Sequence, residues 1–189
     1  MSILFRDGRS MLATGLDAVP FTSLVSLLGE VKPSALDDAA AIVRAAKTNK
    51  KCLFFIGNGG SAAIASHMAA DYLKNGMMAT QTFNDTALMS CISNDLGYQQ
   101  VFSRPISVHG KQEDVLFAIS SSGRSHSILY GVEMALSKRM KIITLSGFEK
   151  DNPLRNMGNI NFYVPSGKYG LVEVAHHAIC HTILDAVIG

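Results

Sequence analysis

The sequence predicts an α/β protein built on an open, mainly parallel sheet flanked by helices, a Rossmann-like three-layer sandwich preceded by a helical N-terminal lead-in. Three observations carry this. Four short apolar runs alternate with helix-length segments from residue 51 onward. Two of those runs end in loops rich in glycine and serine, and the chain closes on a long stretch whose apolar residues recur at helical spacing.

Residues 21–48 read as two helices divided by Pro33, with Ser34 and Asp37 spaced as a capping box in the run that carries Leu36, Ile42 and Val43. The runs Cys52 to Ile56, Val115 to Ile119, Ile142 to Leu145 and Asn161 to Val164 lack the polar alternation of half-exposed strands. Strands covered on both faces look like this, and covering both faces calls for parallel strands joined by crossover helices. An open α/β sheet follows. Gly147 to Gly158 reads as a loop holding a short helix. Lys168 to Ile188, free of proline and with Gly170 only near its start, reads as one packed helix. No repeat, low-complexity tract or linker-like run divides the chain. Residues 1–189 are therefore expected to form one domain, with 1–48 as its helical extension.

Composition excludes several classes of function. Apolar residues make up 48% of the 189 and charged ones 17%, a globular balance rather than a disordered one. A net charge of +2 offers no dense basic face for a nucleic-acid backbone and suits a small anion held locally. Cys52, Cys91 and Cys180 are scattered and odd in number, which argues against both a disulfide framework and a thiolate zinc knuckle and for a reducing cytoplasm. Arg6, Asp7 and Arg9 break the apolar N-terminus, and no contiguous run approaches the ~18 apolar residues of a membrane span. A soluble protein is expected.

The first strand run leads into Gly57-Asn58-Gly59-Gly60-Ser61 and then the helical Ala62, Ala63, Ile64, Ala65. Glycines let backbone turn sharply and approach a ligand, while the amides of the helix start and the Ser61 hydroxyl can face an anion. The loop lacks the Gly-Lys-Ser/Thr ending of a Walker motif. Gly57, Gly59 and Ala62 do satisfy the looser dinucleotide pattern, which keeps a nicotinamide-dependent oxidoreductase in view, although no acid stands clearly at a strand end ~20 residues on. Val115 to Ile119 leads into a second loop, Ser120-Ser121-Ser122-Gly123-Arg124-Ser125, with a helix expected from Ser127. Either loop alone is explained as well by turns and caps. Together, at the carboxyl edge of one sheet, they point to a shared anion crevice.

His67 and Asp71 stand four apart and share a helix face. Glu173, His177 and His181 stand at successive four-residue steps on the last helix, with His176 on a neighbouring flank. These are ligand types a catalytic zinc accepts, and equally what satisfied core or interface histidines look like. Spacing alone leaves both readings open.

Gly57 to Ser61 with Ala62-Ala63, His67 and Ala69-Ala70 resembles the opening motif of the SIS-domain phosphoheptose isomerases. Further matches are Ile92-Ser93-Asn94-Asp95, Gly97-Tyr98, Val101-Phe102-Ser103-Arg104, Ser120 to Gly123 with Ser125, and the acidic, histidine-rich final helix. The resemblance runs from about residue 50 to the end and implies a single SIS domain. It implies that Ser61, Ser120, Ser122 and Ser125 hold a sugar phosphate, with Asn58, Gly59 and Ser121 in the same loops and Asp95 near the substrate. It places His67, Asp71, Glu173 and His181 at the family's zinc-ligand positions and His176 at a neighbouring family histidine. Asp71 and His181 become the acid/base pair of an aldose–ketose isomerase acting on sedoheptulose 7-phosphate to give a D-glycero-D-manno-heptose 7-phosphate. Two positions depart: Asp71 sits where the family has Glu, and Glu173 where it has Gln. The family also implies a cytoplasmic homotetramer with active sites shared between subunits. The alternative it contains is a non-catalytic sugar-phosphate-binding or regulatory relative, like the replication initiator-associating factor. Retention of His67, Asp71, Glu173 and His181 argues against that alternative.

Overall fold

A computed structural model describes residues 19–189. The part of the lead-in before residue 19, including Arg6, Asp7 and Arg9, lies outside the described residues. Helices α1 (Val19–Gly29) and α2 (Pro33–Thr48) precede β1 (Leu53–Gly57), α3 (Gly60–Lys74), β2 (Thr80–Thr82) and α4 (Thr86–Leu96). After a 3-10 turn at Tyr98–Gln100 come α5 (Ser103–His109), β3 (Val115–Ser120), α6 (His126–Ser137) and β4 (Lys141–Gly147). A second 3-10 turn at Pro153–Asn156 leads to β5 (Ile160–Val164) and α7 (Tyr169–Ile188). All strand pairs are parallel, in the order β2-β1-β3-β4-β5.

The four apolar runs are four of the five strands, and β1 and β3 are buried along their whole length. Alternate residues feed two cores on opposite faces of the sheet. Leu53 and Phe55 join α2, α3 and α7 on one face, while Phe54 and Ile56 join α5 and α6 on the other. Phe55 stacks on Phe117 at 4.7 Å between ring centres, with Tyr72 of α3 at 5.5 Å from Phe55. Burying each such side chain contributes about 1.5–3 kcal/mol, and this fixes α3 against the sheet.

The remaining strand, β2, is Thr-Gln-Thr, half-buried at the sheet edge, and shows no apolar run. The capping box expected at Ser34 and Asp37 does not form. Pro33, with its fixed backbone angle, takes the first helical position, Lys32 becomes the N-cap, and no side chain caps this end. Ser34 therefore lies inside the helix. Both turn-rich and C-terminal expectations hold, in the 3-10 turn at Pro153–Asn156 and in α7. Among the described residues, α7 is the helix long and apolar enough to cross a membrane, at 20 residues and a mean hydropathy of 1.4. No contiguous apolar run is that long, because Glu173, three histidines and Asp185 interrupt it. Its apolar residues Val172, Ala175, Ile179 and Ile183 are buried in the core with α2 and α3.

Strand order reverses between β1 and β3, which leave the sheet's carboxyl edge side by side. Open α/β sheets bind ligands at such a point. The two serine loops are the chain's continuations of those two strands.

Candidate active site

Gly57 ends β1, and a Cβ there would strike the backbone carbonyl of Ser61, so the turn into α3 accepts only glycine. Gly59 follows at φ 56° as the N-cap of α3. On the neighbouring strand, Ser120 ends β3 and Gly123 turns at φ 61°. The Gly123 amide donates to Ser120 Oγ at 3.2 Å and the Arg124 amide to Ser122 Oγ at 3.3 Å. Between the loops lies a cavity of about 300 Å³. Asn58, Gly59 and Ser61 line one side, Ser120, Ser121, Ser122 and Ser125 the other, and Tyr169 and Glu173 reach in from α7. All the serines nominated from sequence are thus gathered into one crevice. Ser121 Oγ is buried and lacks a hydrogen-bond partner, which leaves a donor for a ligand.

Gly123 also supports the loop from below. Its left-handed backbone would strain any other residue, and a Cβ would overlap Asn152 Oδ1. Asn152 is fully buried, donating to Gly147 O and Glu149 O while accepting from the Arg155 amide. Gly123→Ala should therefore lower unfolding stability by about 2 kcal/mol, readable as a shifted urea midpoint with unchanged slope.

Asp95 does not enter the crevice. It lies exposed on α4, where Asn94 Nδ2 donates to its Oδ1 at 2.7 Å. Gly60 and Tyr169 also line the crevice. Gly60 belongs to the first glycine loop, whereas Tyr169 has no sequence signal beyond starting the last helix.

The second half of the site lies along the α3–α7 seam. His67 Nε2 stands 3.2 Å and His181 Nδ1 3.8 Å from the same oxygen, Asp71 Oδ2. His177 joins them, its ring centre 4.6 Å from that of His67 and 4.7 Å from that of His181. One nitrogen from each of His67, His177 and His181 falls within 4.8 Å of the others. His177 Nε2 is buried without a partner, the expected state of a ligand atom whose acceptor is a metal. Burial, and then the His181 and His67 imidazoles, hold His177 below the ordinary histidine range, which favours the neutral, ligating form.

Glu173 stands apart from this group. Its carboxylate packs over Gly60, at the start of α3, so it faces the serine crevice. His176 turns the other way: its Nε2 meets Ser146 O at 3.0 Å, Nδ1 has no partner, and burial pushes its pKa down to about 4. Of the four nominated ligands, His67, Asp71 and His181 come together. Glu173 lies at the crevice and His177 at the cluster.

A strand-order switch lined with serine loops, and beside it a carboxylate–imidazole seam, belong to one class: the SIS domain profile matches residues 21–147. The curated relatives narrow this. A phosphoheptose isomerase of Citrifermentans bemidjiense is 31% identical, over 87% of this chain and 88% of the relative. That of Rhodospirillum rubrum is 34% identical over 85% and 87%. The solved phosphoheptose isomerase from Neisseria gonorrhoeae superposes with a TM-score of 0.81 at 27% identity, over 89% of this chain and 95% of that one. The one from Francisella tularensis gives 0.82 at 28% identity, over 89% and 92%. The chain belongs to the SIS-domain phosphoheptose isomerase family.

Proposed function

We propose that this protein is a sugar-phosphate aldose–ketose isomerase, converting sedoheptulose 7-phosphate to a D-glycero-D-manno-heptose 7-phosphate. The observation that carries the reading is the shared use of α3. Ser61 opens that helix at the crevice, and His67 and Asp71 follow on the seam, about 9–15 Å further along its axis. That spacing suits an extended sugar phosphate held at its charged end by the serines, with its reacting carbons among carboxylate and imidazoles.

Isomerisation needs a base to remove the proton beside the carbonyl and an acid to protonate the neighbouring oxygen. Asp71 Oδ2 faces His67 and His181, so Oδ1 is the oxygen left to take the proton. His181 turns Nδ1 to Asp71, leaving Nε2 to exchange a proton with the substrate oxygen. The crevice orients those carbons through the remote phosphate, converting binding into catalysis. Zinc fits the donor set: His67, Asp71 and His181 would hold it, with His177 in the place that family likeness gives to Glu173. Bound there, zinc would polarise the sugar oxygens and stabilise enediolate charge. The relatives' names favour the isomerase over a non-catalytic binder, and we extend them to a cytoplasmic homo-oligomer, a tetramer, of one SIS domain spanning 1–189 with 1–48 as its helical extension. Asp95 enters this proposal only as a residue that a substrate or a second copy would bring to the site.

The test is an isomerase assay on sedoheptulose 7-phosphate, with and without zinc, beside calorimetry of substrate binding. Ser61→Ala or Ser122→Ala should weaken binding by about 1–3 kcal/mol, the scale for hydrogen bonds to a charged group. Unchanged affinity in both variants would remove the crevice from the site.

A further inference from the structure

Tyr98 is not among the crevice residues, yet it is wired to them. Gly97 ends α4 at φ 90° and swings the chain into the 3-10 turn that starts at Tyr98 and packs against α6. From there Tyr98 reaches Asn58 from outside the crevice, across a wall that also lines a second cavity with Tyr98, Ser125 and Ser127.

In this wall the hydrogen bonds run from Tyr98 to Asn58 and from Asn58 to two serines. Tyr98 has one hydroxyl proton and gives it to Asn58 Oδ1, at 2.7 Å. That bond sets the Asn58 amide, whose Nδ2 donates to Ser125 Oγ at 2.8 Å and to Ser127 Oγ at 3.0 Å. Both hydroxyls are therefore acceptors towards Asn58 and must direct their own protons elsewhere. Ser127 is almost fully buried and has Ser125 Oγ at 3.4 Å. Ser125 is the N-cap residue of α6, but its side chain makes no capping bond. Its proton is thus spent neither on the helix nor on Asn58, and its side chain lines the crevice.

We propose that Tyr98 is a positioning residue that polarises this relay, so that Ser125 presents a proton to the substrate phosphate. This rests on the reading of the crevice as the phosphate site. With Tyr98 in place, inverting Asn58 would give up the 2.7 Å bond from the Tyr98 hydroxyl to Oδ1 and oblige that hydroxyl to turn its one proton away and accept instead. Without it, Asn58 can invert, take the Ser125 proton on Oδ1 and leave an oxygen lone pair facing an anion. Successive hydrogen bonds strengthen one another in such a chain, so the effect reaches the ligand without contact.

Tyr98→Phe removes only an oxygen that is not in the core. It should raise KM, and the Kd of inorganic phosphate read by calorimetry, about 3- to 10-fold, with kcat within twofold and the melting temperature unchanged. In an Asn58→Ala background the same change should have no further effect, because the relay is already broken. Tyr98→Phe leaving the phosphate Kd unchanged while Ser125→Ala weakens it would overturn the relay and keep the crevice. Equal losses from Tyr98→Phe with and without Asn58 would also overturn it. If Ser125→Ala leaves phosphate binding untouched, the relay fails, and the crevice reading falls with it only if Ser61→Ala and Ser122→Ala are silent too.

Discussion

Asp71→Asn should lower kcat/KM for sedoheptulose 7-phosphate by about 10²–10⁴, the contribution of a positioned general base. The substitution keeps the size of the side chain and an oxygen for His67, 3.2 Å away, but removes the carboxylate that accepts a proton. Its partner experiment is Asp71→Glu, which restores the family side chain and adds one methylene. On α3 this carboxylate is bracketed by His67 and His181, so a longer side chain has to fold back or displace an imidazole. Displacing a reacting group by about 1 Å can cost ~100-fold, and Asp71→Glu should lose activity on that scale if the seam is adapted to Asp. Steady-state kinetics with zinc content measured in parallel separates loss of the base from loss of the metal. A rise in isomerase activity from near zero in Asp71→Glu would instead make the native protein a diverged sugar-phosphate binder.

The parts legible in the sequence were those set by burial on both faces and by loop chemistry. Cys52 to Ile56 and Val115 to Ile119 could be read as strands because helices cover the sheet on each side, removing the polar alternation. The serine loops could be read because two of them follow two strands to one sheet edge, where either alone would pass for a turn or a helix cap. Thr80–Thr82 could not, since an edge strand of polar residues is held by its pairing with β1 and not by its own pattern. The carboxylate–imidazole seam was half legible. Residues at four-residue steps drift by about 40° per step around a helix, so Glu173 and His181 differ by about 80° while nominally sharing a face. Sequence cannot say where along that drifting stripe the neighbouring helix lies. Contacts settle the register: Glu173 meets Gly60 at the start of α3, while His177 and His181 meet His67. The two helices therefore run in the same direction, with the stripe divided between crevice and cluster. Tyr98 left no trace in periodicity, because its role depends on a turn bringing it to Asn58 across 40 residues.

Acid should destabilise the metal-free protein through His176. The folded chain keeps this imidazole neutral to about pH 4, because burial opposes its charge, whereas an exposed histidine protonates near 6.5. Between those values the unfolded chain binds a proton that the folded chain refuses, so stability falls as pH is lowered through the window. Above it, His176 adds no pH dependence. The shift corresponds to about 3 kcal/mol lost by pH 4, a large share of the stability of a domain this size. Chelator-treated protein is the right sample, since acid would also strip a metal from imidazole ligands. Urea midpoints at pH 7 and pH 4.5 measure the effect. His176→Gln supplies the control: its amide can still donate to Ser146 O but cannot titrate. Its stability should fall less over the same interval. Some slope should remain, because His177 is also held below the ordinary range and contributes with the same sign. Equal acid slopes in the two proteins would mean that the folded chain opens around His176 and protonates it before unfolding. Because His176 lies between the crevice-facing Glu173 and the seam-facing His177, such an opening would loosen both halves of the site together.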